Sequence, residues 1–66
     1  MELKDKQIKI LQLLKENEFL STTKISFLIT ANLYQTEAYL QKLLELNLLE
    51  KVSKNNATYW GRNKNE

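Results

Sequence analysis

Apolar residues recur at helical spacing in three stretches of this chain, and a fourth stretch has the composition of strand. From about Lys4 to Glu16, Ile10, Leu11 and Leu14 centre one face of a first helix, with Asp5 near its positive end. Ile8 and Leu13 widen that face to roughly 220° of arc, more than one core contact requires. Either this helix is nearly surrounded, or one of its edges meets a second subunit. Ile25, Leu28 and Ile29 then mark a short helix over Thr22 to Ile29, opened by Ser21, whose hydroxyl suits an N-cap. Phe27 lies about 160° off that stripe. It packs on the wing or on a partner, or it stands in solvent.

Thr30-Ala31-Asn32 reads as a turn, and Asn32 as the cap of a third helix running from Leu33 to about Leu46. Thr36, Tyr39, Leu40, Leu43 and Leu46 fall on its inner side. Tyr34, Glu37, Ala38, Gln41 and Glu45 fall on the other. Asn47 follows where a left-handed residue would close the helix. Leu48 to Ser53 and Thr58 to Trp60 predict two strands, joined through Lys54-Asn55-Asn56-Ala57. A further short strand is possible at Phe19-Leu20. With no proline and one glycine, turns must rely on Asn, Ser and Thr.

Sixty-six residues make one small domain, expected here to span residues 1–61, with a flexible basic tail over 62–66. The chain has neither Cys nor His. Disulfides and the usual zinc ligands are thereby excluded, no metal or other cofactor is expected, and packing must hold the fold. An enzyme is not expected, because the commonest general base and the thiol nucleophile are missing and no Gly-rich phosphate loop is present. The longest apolar runs are three residues, such as Phe27-Leu28-Ile29, so no membrane span is expected. The N-terminus lacks signal-peptide order, and a cytoplasmic location is the expectation. Net charge is only +2, but its placement is uneven. Lys51, Lys54, Arg62 and Lys64 follow one another without an intervening acid, whereas the first fifty residues are nearly balanced.

Two short helices, a Leu-rich helix and a ribbon, in this order, predict a mainly α winged helix-turn-helix: three helices plus a two- or three-stranded antiparallel sheet. The pattern Ile10-Leu11-x-x-Leu14, Leu20-Ser21-x-x-x-Ile25-x-x-Leu28 and Leu40-x-x-Leu43-x-x-x-x-Leu48-Leu49 resembles small prokaryotic winged-helix regulators of the MarR/ArsR-like kind. The resemblance covers about Lys4 to Trp60. Asn47 stands where such proteins commonly have Gly.

The resemblance implies that the third helix enters the major groove of double-stranded DNA while the wing touches backbone or minor groove. It makes Leu33, Tyr34, Glu37, Ala38 and Gln41 the groove-facing set, with Lys42 on flanking backbone. Gln41 is suited to reading adenine, Tyr34 to a phosphate or sugar, and Ala38 to a thymine methyl. Thr22, Thr23 and Lys24 would contact phosphates, and Lys54, Asn55, Asn56, Arg62 and Lys64 would supply grip. The third helix departs from this expectation by carrying Glu37 and Glu45 and no outward Arg or Lys. The same face is also compatible with simple solvation. Winged helices that grip left-handed duplexes carry Lys, Asn and Tyr at successive i, i+4 positions and prolines in the wing. Leu33, Glu37 and Gln41, with no proline, argue against that subclass.

A small transcriptional regulator, acting alone or as a homodimer on a palindromic site, is the leading expectation. Its dimer contact would use the first-helix face, or Leu33, Leu44 and Phe27. The alternative is a protein-interaction module that docks through surplus apolar residues (Leu13, Phe27, Leu44) and the acidic third helix.

Overall fold

A computed structural model describes residues 2–63, so Lys64, expected to grip DNA from the tail, lies outside the described residues. The elements are α1 (Asp5–Glu16), β1 (Phe19–Ser21), α2 (Thr22–Ile29), α3 (Leu33–Glu45), β2 (Leu49–Lys54) and β3 (Ala57–Arg62). The strands form one antiparallel sheet in the order β1-β3-β2, which completes the expected winged arrangement. Ile10, Leu14, Ile25, Ile29, Leu40, Leu43, Leu49 and Trp60 make the core, drawn from all three helices and two strands. Truncating any of the Leu or Ile residues to Ala costs about 2–5 kcal/mol. A chain this size has only about 3–10 kcal/mol in total, so each one is close to indispensable.

The broad face of α1 resolves unevenly. Ile10 and Leu14 are buried, Leu11 and Leu13 are half-buried against the core, and Ile8 stays 43% exposed. A polar residue outside the apolar pattern, Gln7, is buried instead. Its Oε1 accepts the Lys4 backbone N–H at 2.8 Å, and its Nε2 reaches toward the Tyr39 carbonyl of α3 at 3.5 Å. Being polar at both ends of its amide, Gln7 satisfies the Lys4 N–H ahead of α1 and adds a contact to a carbonyl of the neighbouring helix.

α2 and α3 end by the same device. A residue past each helix, directly after α2 and two residues after α3, takes left-handed φ, and the next N–H reaches back five residues: Ala31 to Ser26 O at 3.0 Å, and Leu48 to Leu43 O at 3.0 Å. At α3 the left-handed residue is Asn47, as its tolerance of positive φ predicts. At α2 it is Thr30, φ 57°, a β-branched residue for which that region is costly. Lys6 lies over this end, its Nζ donating to the carbonyls of Ile29 and Thr30 at 2.8 Å each. A cation there opposes the negative end of the helix dipole.

The wing differs from expectation at both ends. Lys54 and Ala57 are a ladder pair, so the connection is the two-residue turn Asn55-Asn56, both at positive φ (52° and 64°). This geometry matches the twist of a tight hairpin, and asparagine is among the few residues that adopt it readily. β3 does not stop at Trp60. It continues through Arg62, which pairs with Leu49, and the Asn63 N–H still donates to Leu48 O at 3.1 Å. Arg62 therefore belongs to the sheet and not to a tail. Gly61 is what lets the strand run on: a Cβ there would meet the Phe19 ring at 2.6 Å and Glu18 O at 2.9 Å. Without one, the ring lies directly across β3, and β1 can pair with it.

Candidate nucleic-acid interface

α3 is held from one side only. Thr36, Leu40 and Leu43 are buried, and Tyr39, Leu44 and Leu46 are half-buried, whereas Leu33, Tyr34, Glu37, Ala38, Gln41 and Lys42 are all exposed. Tyr34 is the extreme, at 84%. The 3.6-residue period dictates this division, because the inner set fills the core and, among the described residues, no further element covers the outer set.

Two neighbours flank the first turn of this face. Ser21, Thr22 and Thr23 at the start of α2, Leu33 and Glu37 of α3, and Asn56, Ala57 and Thr58 of the wing line one shallow cleft of about 340 Å³. Local chemistry fixes each wall. Ser21 ends β1 opposite Tyr59, and its Oγ accepts the Lys24 N–H at 3.1 Å. Asn32 Oδ1 accepts the Gln35 N–H at 2.7 Å, and its carbonyl receives the Thr36 hydroxyl at 2.8 Å. Trp60, buried beneath the wing, donates its indole N–H to Thr22 Oγ1 at 2.8 Å. That bond ties the wing to the α2 N-terminus and leaves the Thr22 hydroxyl hydrogen free to donate. The Lys51 ammonium lies 5.4 Å from the Trp60 ring, on the other side of the hairpin from Val52.

Not every anticipated residue reaches this cleft. Lys54 and Asn55 line a different hollow, with Phe19, Val52 and Tyr59, on the outer side of the sheet. Arg62 is at the far end of β3, six residues or roughly 20 Å from the turn, in a pocket it shares with Lys15, Glu16 and Glu18. The Lys24 ammonium is drawn over the Phe27 ring at 5.9 Å. Among the described residues, these three cations are therefore distributed apart and do not form one rim about Tyr34 and Gln41.

The apolar positions set aside for protein docking do not gather either. Leu13 and Leu44 pack against the core, and Phe27, 76% exposed, stands apart from them. The Trp60–Thr22 bond and the Lys6 contacts are not legible in the sequence. Both join residues far apart in the chain, and no local pattern signals them.

No family profile matches the sequence, and no curated protein matches it significantly. Solved structures do match by shape. The adhesin competence repressor AdcR of Streptococcus pyogenes superposes with a TM-score of 0.87 at 18% identity, over 96% of this chain and 48% of AdcR. ZitR of Lactococcus lactis, solved in complex with DNA, gives 0.85 at 24% identity, over 96% of this chain and 44% of ZitR. A viral Zalpha domain bound to left-handed Z-DNA gives 0.67 at 19% identity, over the full length of both chains. The chain thus spans less than half the length of AdcR and of ZitR. At these identities the likeness is one of fold: the protein is a winged helix-turn-helix domain.

Proposed function

We propose that this domain binds double-stranded DNA and acts as a small transcriptional regulator, with α3 in the major groove and the wing turn on the adjoining backbone. The observation that carries the reading is the uncovered outer face of α3, flanked in one cleft by the α2 N-terminus and the wing turn. The kinds of partner named for the structural neighbours, DNA with ZitR and Z-DNA with the viral domain, support the DNA-binding part of this reading. A MarR/ArsR-like relationship and a cytoplasmic site of action are consistent extensions.

In this arrangement Gln41 offers a bidentate amide to adenine and Ala38 a methyl to thymine. Tyr34, Thr22 and Thr23 present hydroxyls to phosphate, and Lys24 and Lys42 add charge on either flank. Leu33 shields the first turn from water. Glu37 is favourable only against a cytosine amine and repels phosphate elsewhere, so it acts as a selectivity element. Asn55 and Asn56 meet the backbone at the wing turn, with Lys54 beside them.

Fluorescence anisotropy on a pool of random duplexes, followed by selection, tests the reading. Binding should weaken with salt by a slope of about −0.9 for each phosphate engaged. Lys42→Ala should weaken binding on all sequences and flatten that slope, whereas Gln41→Ala should relax the selected consensus by about 1–3 kcal/mol at one base pair. Absence of salt-sensitive binding to any duplex would refute the proposal.

A further inference from the structure

We infer that the open edge of β2 is a self-association surface, on which a second copy of this chain pairs antiparallel through its own β2 with Val52 opposite Val52. β2 is the edge of the sheet, six residues long, paired to β3 without a bulge and free of proline, the features that otherwise blunt an edge. The two-residue turn makes Lys54 and Ala57 a hydrogen-bonded pair, and the ladder alternates from there, so Val52, Glu50 and Leu48 turn their backbone groups toward β3. The Asn63-to-Leu48 bond confirms that phase. Leu49, Lys51 and Ser53 consequently point their N–H and C=O groups outward along the open edge.

Only registers that set these odd-numbered residues against one another satisfy both edges. With Val52 opposite Val52, Lys51 faces Ser53 in a hydrogen-bonded pair, and Glu50 faces Lys54 on both sides of the two-fold axis. These lie in the non-bonded positions, where side chains approach most closely. A shift of two residues one way sets Lys51 against Lys51 and Glu50 against Val52. A shift the other way sets Val52 against Lys54 and leaves Glu50 opposite Asn56. Charge complementarity therefore selects a single self-consistent register. Within its own sheet, Glu50 faces Gly61 and Lys54 faces Ala57, so neither has a charged cross-strand neighbour. The pairing also joins the Val52–Tyr59 row of one copy to that of the other, and it covers Val52, now 38% exposed. The contact is isologous, as a closed dimer requires.

Two six-residue strands make a contact smaller than the roughly 1,200 Å² of a stable interface, so the association is weak and concentration-dependent. The contact is independent of the DNA reading, and its test uses DNA-free protein. Sedimentation equilibrium of the full chain at low salt, from about 10 µM to about 1 mM, should show monomer passing to dimer. Glu50→Lys and Lys54→Glu should each weaken dimerisation about tenfold, by placing like charges opposite one another, and the double swap Glu50→Lys/Lys54→Glu should restore it. Ser53→Pro, which removes an outward N–H that its own sheet does not use, should abolish it while circular dichroism remains unchanged. A chain monomeric up to about 1 mM overturns the proposal. So does a dimer indifferent to Ser53→Pro, or a charge swap that fails to recover what the single reversals lose.

Discussion

At the scale of single residues, much of this fold depends on where a side chain is missing or held in an uncommon conformation. Gly61 is the clearest case. Gly61→Ala must displace the Phe19 ring or the β1 backbone, and it should lower stability by about 1–3 kcal/mol in urea unfolding. Adding Phe19→Ala should recover only part of the loss, because Glu18 O remains 2.9 Å from the new methyl. Thr30 presents the converse. Its left-handed φ of 57° is unfavourable for a β-branched residue, and Thr30→Gly should raise the urea midpoint by an amount worth about 1 kcal/mol. Chain position alone reveals neither effect: Gly61 reads as a loop residue, and Thr30 as an ordinary turn threonine. Asn47, by contrast, was legible, because its type suits the conformation it adopts.

The elements were legible wherever a local signal opens or closes them. Ser21 and Asn32 cap α2 and α3 as their hydroxyl and amide chemistry predicts, and the bounds of α2 follow directly. Asn32→Ala should cost about 1 kcal/mol. It should also loosen the first turn of α3, so that amide exchange near Leu33 and Tyr34 accelerates before that of Leu43. On the DNA reading, affinity falls along with it. The wing was less legible. Its second strand was expected to be shorter, because Thr58 to Trp60 carries the strand-forming residues. Pairing with β1, which is remote in sequence, overrides that preference. Asn56→Gly should strengthen the two-residue turn and raise amide protection in β2 and β3 while leaving the helices unchanged.

For the whole molecule, the question is how one small body presents its surfaces. The cleft beside α3 lies at the turn end of the hairpin, and the proposed β2 contact runs along its side. A two-fold axis through Val52 sends the two turns in opposite directions. If both proposals hold, the dimer therefore joins two duplex segments instead of reading two half-sites on one. Co-capture of a labelled duplex on a bead-bound duplex measures this, and Ser53→Pro should abolish co-capture while single-duplex affinity changes little. The sequence by itself determined the number and order of helices, their buried faces, their N-caps and the outward set of α3, because 3.6-residue periodicity and capping chemistry act within a few residues. Tertiary structure alone decided which of the candidate residues meet. It brought Thr22, Thr23, Leu33, Glu37 and Asn56 into one cleft, turned Lys54 to the outer face, and carried Arg62 to the far end of the sheet. The physical reason is that strand register and the Trp60–Thr22 bond are set by partners dozens of residues away, over which local propensity has no influence.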